Sequence, residues 1–251
     1  MRIVSGSPGP MVAGEVGAHP VRPYTETVWW VRVAVLYLVS RRFPQTLMAI
    51  AALTALVWWT MRQTPTQPVP GLNLELVAAR NETLLLHLAA ALLASVIGLA
   101  VFTPFGESER VSPMVLPAMR ALHVVVLLAI GLGALSLVIG SWADVMPGVE
   151  LVSLFARNAL FLTGLVLLAG KVIDVRLAWM IPVVLAGVTM TSLLRRLDRI
   201  QAPEELWRGN GRNVLALDLS HEWATAVCLG VAVVAIALYV RDGVQDSAEG
   251  E

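Results

Sequence analysis

The 251-residue chain is 57% hydrophobic and 14% charged, with a mean hydropathy of +0.73, which excludes an ordinary soluble domain and indicates an integral membrane protein. Lys+Arg and Asp+Glu balance at 18 each, so nothing in the charge points to a nucleic-acid partner or a basic membrane-surface protein. Cys228, the single cysteine, lies inside an apolar run and excludes intrachain disulfides and cysteine-rich metal sites.

Residues 1–23 are rich in Gly and Pro, hold no apolar core of signal-peptide length, and read as a disordered tail. The first spanning helix is therefore expected to direct insertion. The segment 24–43 is apolar but interrupted by Glu26 and Arg32 and closed by Arg41 and Arg42, which predicts an interfacial amphipathic elbow helix. A bilayer core of about 30 Å needs about 20 apolar helical residues. Six runs approach that length, at roughly 44–61, 82–104, 120–141, 150–170, 177–194 and 222–240. The expected fold class is thus an all-α integral membrane protein, with a six-helix transmembrane domain over 44–241 and an acidic tail over 242–251. Trp29, Trp30, Trp58, Trp59, Trp142, Trp179 and Trp223 fall near run ends, where amphipathic rings favour the headgroup layer. Asn81 is expected to cap the second span.

Basic residues weight the side of the N-terminus, led by the Arg41–Arg42 pair, although the basic loop 195–221 pulls the other way. Both termini are expected in the cytoplasm, which places the charged interruption "FGESERVSPMVLPAMR" over 105–120 there too. Val111, Met114, Val115 and Met119 approximate one helical face. Ser112 and Pro113 make a helix start, and Pro117 is expected to shorten or kink that helix. Such a helix can dock on a soluble partner, with Glu107, Glu109 and Arg110 setting register by charge. The alternative is a solvated turn whose long side chains snorkel.

Arg157 and Asn158 are the strongest polar feature inside a predicted span. A charge about 10 Å into a span must face the bundle interior or a cavity. Two readings stand: a substrate-path or gating residue, or a structural one, an interhelical tie to Glu82, Asp144 or Glu150 near the outer surface or snorkelling toward it. Gly131, Gly133, Gly164 and Gly170 read as close-packing positions.

Other chemistry fails on spacing. His87 and His123 lie near opposite ends of their spans, roughly 15–20 Å apart in height at about 1.5 Å per residue, too far for two axial ligands on one haem iron. "EELWR" at 204–208 is one residue short of the EExxxR signature of membrane proteases and lies in a polar loop. "GSW" at 140–142 lacks the flanking pattern of a serine nucleophile. No catalytic residue, metal ligand or cofactor is expected.

In layout the chain resembles the membrane subunit of an ABC-2-type transporter: elbow helix, span, external loop, span, then a cytoplasmic acidic and basic cluster ending in Pro. That family carries a pattern like E-R-x-x-G-T-L-E-x-L-L-x-x-P between its second and third spans. The counterpart here is Glu109, Arg110, Ser112, Val115, Leu116 and Pro117, without the Gly-Thr pair and the second Glu. "FARNALFLTGLVLLAGKVIDVRLAWMIPVV" at 155–184 resembles the fourth span of permease-like proteins of actinobacterial ABC transporters. "ELWRGNGRNVLALDLSHEW" resembles their penultimate external loop. The resemblance implies a half-transporter of the bacterial plasma membrane, homodimeric or paired with a second permease. It also implies an exporter of a hydrophobic or amphipathic compound or peptide, with Glu107, Glu109, Arg110, Val111, Met114 and Val115 contacting a separate cytoplasmic ABC ATPase. The chain has no G-x-x-x-x-G-K-[ST] phosphate loop, its one lysine being Lys171, so ATP can act only through a partner. The alternative is a permease-like membrane subunit that does not transport and serves immunity, assembly or scaffolding.

Overall fold

A computed structural model describes residues 31–32, 35, 42–63, 74–101, 116–141, 148–173, 175–197, 213–214, 217–218 and 221–242. In chain order they form α1 (Phe43–Arg62), α2 (Leu74–Val101), α3 (Leu116–Ser141), α4 (Gly148–Val172), α5 (Val175–Ala178), α6 (Met180–Leu197), β1 (Asn213–Val214), β2 (Leu217–Asp218) and α7 (His221–Asp242). The described residues are all helical apart from the β1–β2 ladder, a minimal antiparallel pair with Asn213 opposite Asp218 and Val214 opposite Leu217, and the single turn or bend residues that flank the helices. Among the described residues five helices, α1, α2, α3, α4 and α7, are long and apolar enough to cross a membrane. The apolar stretch of α6, Met180–Thr191, is shorter.

The helix starts follow local chemistry. The chain enters α1 through Arg42 in the left-handed conformation, φ 53°, with Pro44 in the first turn, where its missing N–H costs nothing. Val31, Arg32 and Val35, from the segment expected to form the elbow, are helical and exposed; the rest of 24–41 lies outside the described residues. Pro117 sits in the first turn of α3, where a proline is tolerated, and the helix start expected at Ser112 and Pro113 lies outside the described residues. α2 begins at Leu74, so Asn81 lies inside it and is not the expected cap, a correction. The cause is visible in "LELVAAR", whose Leu, Glu, Ala and Arg are strong helix formers that carry the helix upstream of the purely apolar run. The fifth apolar run is likewise not continuous: it breaks at Trp179, between α5 and α6. Pro182 explains the break, because it has no N–H for the Ala178 carbonyl and its ring crowds that carbonyl.

α4 is the central helix, packed against α2, α3, α5, α6 and α7. Within the spans, 67% of α4 and 61% of α2 are buried, against 22% of α1 and 28% of α7, so the first pair forms the interior and the second pair lies at the periphery of the described helices. Contacts fix the directions. Gly140 near the end of α3 meets Val152 near the start of α4, so these two run antiparallel. Lys171 Nζ reaches the Leu238 carbonyl, so α4 and α7 end on the same side. Phe43 and His123 meet edge to face at 5.9 Å, which puts the starts of α1 and α3 on that side as well.

Small residues set the helix spacing. A Cβ on Gly164 would lie 3.0 Å from the Ala232 Cα, so α4 and α7 approach backbone to backbone. On α7, Ala224, Cys228, Ala232 and Ala235 are buried at spacings of four, four and three, the small-residue seam that permits close packing within a membrane. Gly131 faces Leu93 of α2. Gly133 has nothing within 4 Å, so its expected role as a close-packing position is corrected: it lies on the outer face of α3.

Candidate functional site

Arg157 and Asn158 are adjacent on α4 and both buried, at 4% and 7% exposure. Neighbours in a helix point about 100° apart, so the two serve different partners. Arg157 lies within electrostatic reach of Cys228 on α7 and His87 on α2. Asn158, with Phe161 and Leu162 one turn on, lines a pocket of about 20 Å³ together with His87 of α2 and with Ala186 and Thr189 of α6. Three helices therefore meet at one polar point inside the bundle.

The hydrogen bonds define what each group presents. His87 Nδ1 lies 2.8 Å from the Thr83 carbonyl. A carbonyl only accepts, so Nδ1 carries the proton and Nε2 is the acceptor of the neutral ring. Thr189 Oγ1 donates to the Leu185 carbonyl at 2.7 Å, so its hydroxyl hydrogen is committed along its own helix. Asn158 Nδ2 is buried without an acceptor among the described residues, and so is Thr163 Oγ1 without a partner.

A second polar contact joins the same helices at the other end of α6. Ser95 Oγ lies 2.9 Å from both the Ala91 and the Trp179 carbonyls. A wider, apolar groove of about 500 Å³ lies between the parallel helices α1 and α3, walled by Ile50, Ala51, Thr54, Trp58, Ala134 and Val138. It is an open groove rather than an enclosed cavity.

Of the residues singled out from the sequence, Arg157 and Asn158 come together with His87, Thr189 and Cys228. Glu107, Glu109, Arg110, Val111, Met114 and Val115 lie outside the described residues, as do the side chains of Glu82, Asp144 and Glu150 proposed to tie Arg157. His87 and His123 lie on antiparallel helices whose midpoints, Leu93 and Gly131, touch, which separates them by roughly 20 Å at 1.5 Å per residue. His87 belongs to the Asn158 cavity and His123 to Phe43. Among the described residues no group of three or more His, Cys, Asp and Glu is placed to hold a metal ion. Compared with family models, curated proteins and solved structures, the chain gives no match to any of the three.

Proposed function

We propose that this chain is the permease subunit of an ATP-driven ABC transporter of the ABC-2 type, an exporter energised by a separate ATPase that docks on the cytoplasmic segment 106–119. In this reading it crosses the bacterial plasma membrane six times. α6 is the fifth crossing, the elbow helix lies over 24–43, and both termini are cytoplasmic. The observation that carries the reading is the burial of Arg157 and Asn158 on the central helix. A guanidinium inside a membrane bundle is costly and marks a pathway or gating position by default. The order of apolar helices around the Glu109–Pro117 pattern adds the coupling segment.

A second reading keeps the permease-like architecture without transport, as an immunity, assembly or scaffold subunit. It is favoured by the small size of the cavity at Asn158, about 20 Å³, and by the missing Gly-Thr pair in the coupling pattern. Co-expression with the product of an adjacent ATPase gene separates the two. The transporter reading expects the proteins to purify together in detergent and the ATPase to hydrolyse ATP faster in the complex. Separate elution, or binding that leaves hydrolysis unchanged, supports the non-transporting subunit.

A further inference from the structure

We propose that the groove between α1 and α3 is a binding site for a single glycerophospholipid, with one acyl chain lying along the groove and the phosphate at Arg62. The inference stands independently of whether the chain transports anything.

The groove follows from helical period. On α1, Leu47, Ala51, Thr54 and Trp58 line it, and on α3, Ile130, Ala134 and Val138, each set recurring every three or four residues as one face of a helix does. Larger side chains stand toward the two ends, while Ala51, Ala55 and Ala134 hollow out the middle. The lining is apolar. Thr54, its one hydroxyl-bearing residue among the described residues, gives that hydrogen to the Ile50 carbonyl of its own helix at 2.8 Å.

Dimensions select the occupant. Leu47 and Trp58 are eleven positions apart, about 16 Å at about 1.5 Å per residue, which is close to half of the roughly 30 Å hydrocarbon core and thus to the depth of one leaflet. A space of about 500 Å³ drawn out over that length is about 6 Å across, which suits an extended hydrocarbon chain and is narrower than a helix with its side chains, about 10–12 Å.

Charge at one end supplies the head-group partner. One turn beyond Trp58, the same stripe of α1 continues to Arg62, which is exposed and whose guanidinium carbon lies 3.8 Å from the centre of the Trp58 ring. The ring face thus holds a cation against the last wall of the groove. Phe43 and His123 meet at the opposite end, so the final residues of the parallel helices, Arg62 and Ser141, come out level with each other. Tryptophan and arginine at a helix end mark the headgroup layer. An apolar channel one leaflet deep that finishes under a cation complements a lipid with an apolar tail and an anionic phosphate. The attraction is that of the positive charge and does not require Arg62 to lack other partners.

Native mass spectrometry of the protein, purified in detergent, delipidated and titrated with dioleoylphosphatidylglycerol, tests the assignment, with circular dichroism checking the helix content of each variant. The parent is expected to retain one lipid per chain. Ala51→Phe and Ala134→Phe fill the groove from different helices, and each is expected to abolish that retention. Arg62→Gln, a change at an exposed position, is expected to weaken it about tenfold, or about 1.4 kcal/mol. Dioleoylglycerol, which keeps the chains and lacks the phosphate, should be retained by the parent less than the phospholipid. No retention by the parent, equal retention of the two lipids, parental retention by Arg62→Gln, or retention that persists in both filled variants overturns the proposal. A parent that holds no lipid but forms a dimer lost in the filled variants assigns the groove to a second copy of the chain and overturns it as well.

Discussion

Lys171 Nζ donates to the Leu238 carbonyl at 2.7 Å, joining the last turn of α4 to the last stretch of α7. The carbonyl ends of both helices gather on this side of the bundle, so a cation there also answers their partial negative charge. Lys171 is the only lysine in a chain whose other basic residues are arginines. A compact ammonium on a flexible stem can bend back to a backbone carbonyl between two helices, whereas a planar fork is matched to a carboxylate or phosphate. Lys171→Met is expected to lower stability by about 2 kcal/mol, the range for a hydrogen bond to a charged group. Thermal unfolding in detergent followed by circular dichroism should show a lower midpoint for Lys171→Met and a smaller loss for Lys171→Arg.

Gly164 and Gly133 make a paired test of the packing. The Cβ of Gly164→Ala would meet backbone atoms of Ala232 at 3.0 and 3.2 Å, and backbone cannot swing aside as a side-chain tip can. The two helices must separate, at a cost of about 1–3 kcal/mol. Gly133→Ala meets nothing and gains helix propensity, up to about 1 kcal/mol. Opposite shifts of the unfolding midpoint are expected; equal destabilisation by both would contradict the close α4–α7 approach.

Arg157→Gln keeps a polar, though shorter, side chain and removes the charge. If Arg157 serves a pathway, its interactions must differ between the states of the cycle. Export in proteoliposomes reconstituted with the ATPase should then fall, while the variant still inserts and assembles. Loss of insertion or of association with the ATPase instead identifies Arg157 as an interhelical tie.

Some of this architecture was legible in the sequence, and the reason is the solvent. A bilayer demands long apolar runs, so α1, α2, α3, α4 and α7 announce themselves by composition. Arg157 and Asn158 stand out because polarity inside such a run is expensive and must be buried. Helix ends were less legible. Leu74–Glu82 continues α2 through strong helix formers in a stretch that is not purely apolar, and Pro182 splits a run whose hydropathy is unbroken. The partners of Asn158 were hidden for another reason: they depend on the register of α2 and α6 against α4. One signal was present, since His87 and Asn158 both fall a few residues past the starts of parallel spans. The small-residue seam at Ala224, Cys228, Ala232 and Ala235 was also readable, as a helical period of small side chains on a helix with almost no other pattern.

Topology is checked by labelling. In a Cys228→Ala background, where the one native thiol, itself buried, is removed, cysteines replacing Ser108 and Ile173 are expected to react with a cytoplasm-specific reagent. Cysteines replacing Asn73 and Gly209 should react from outside. Ile173 already lies exposed just past the end of α4, so its labelling reports sidedness rather than access. The reversed pattern would move 105–120 to the outer face and remove its docking role.

The coupling segment gives the sharpest test of the proposed function. A membrane protein without a phosphate loop uses ATP only through contact with a soluble ATPase, and the segment assigned to that contact is 106–119. Its apolar residues Val111, Met114 and Val115 would fill a groove on the partner, while Glu107, Glu109 and Arg110 would sit at the rim. Truncating a buried apolar anchor commonly costs more than about 1 kcal/mol of binding, whereas rim charges act mainly on association rate and its salt dependence. Met114→Ala combined with Val115→Ala should therefore weaken ATPase binding about tenfold, which is about 1.4 kcal/mol, with little change in salt response. Glu107→Lys combined with Glu109→Lys should slow association and alter its dependence on ionic strength. α3 begins beyond these positions, at Leu116, so both double variants should insert normally, and surface plasmon resonance against immobilised ATPase separates the two effects. Parental binding by both variants would reduce the segment to a turn between helices and leave the non-transporting reading as the better account of the chain.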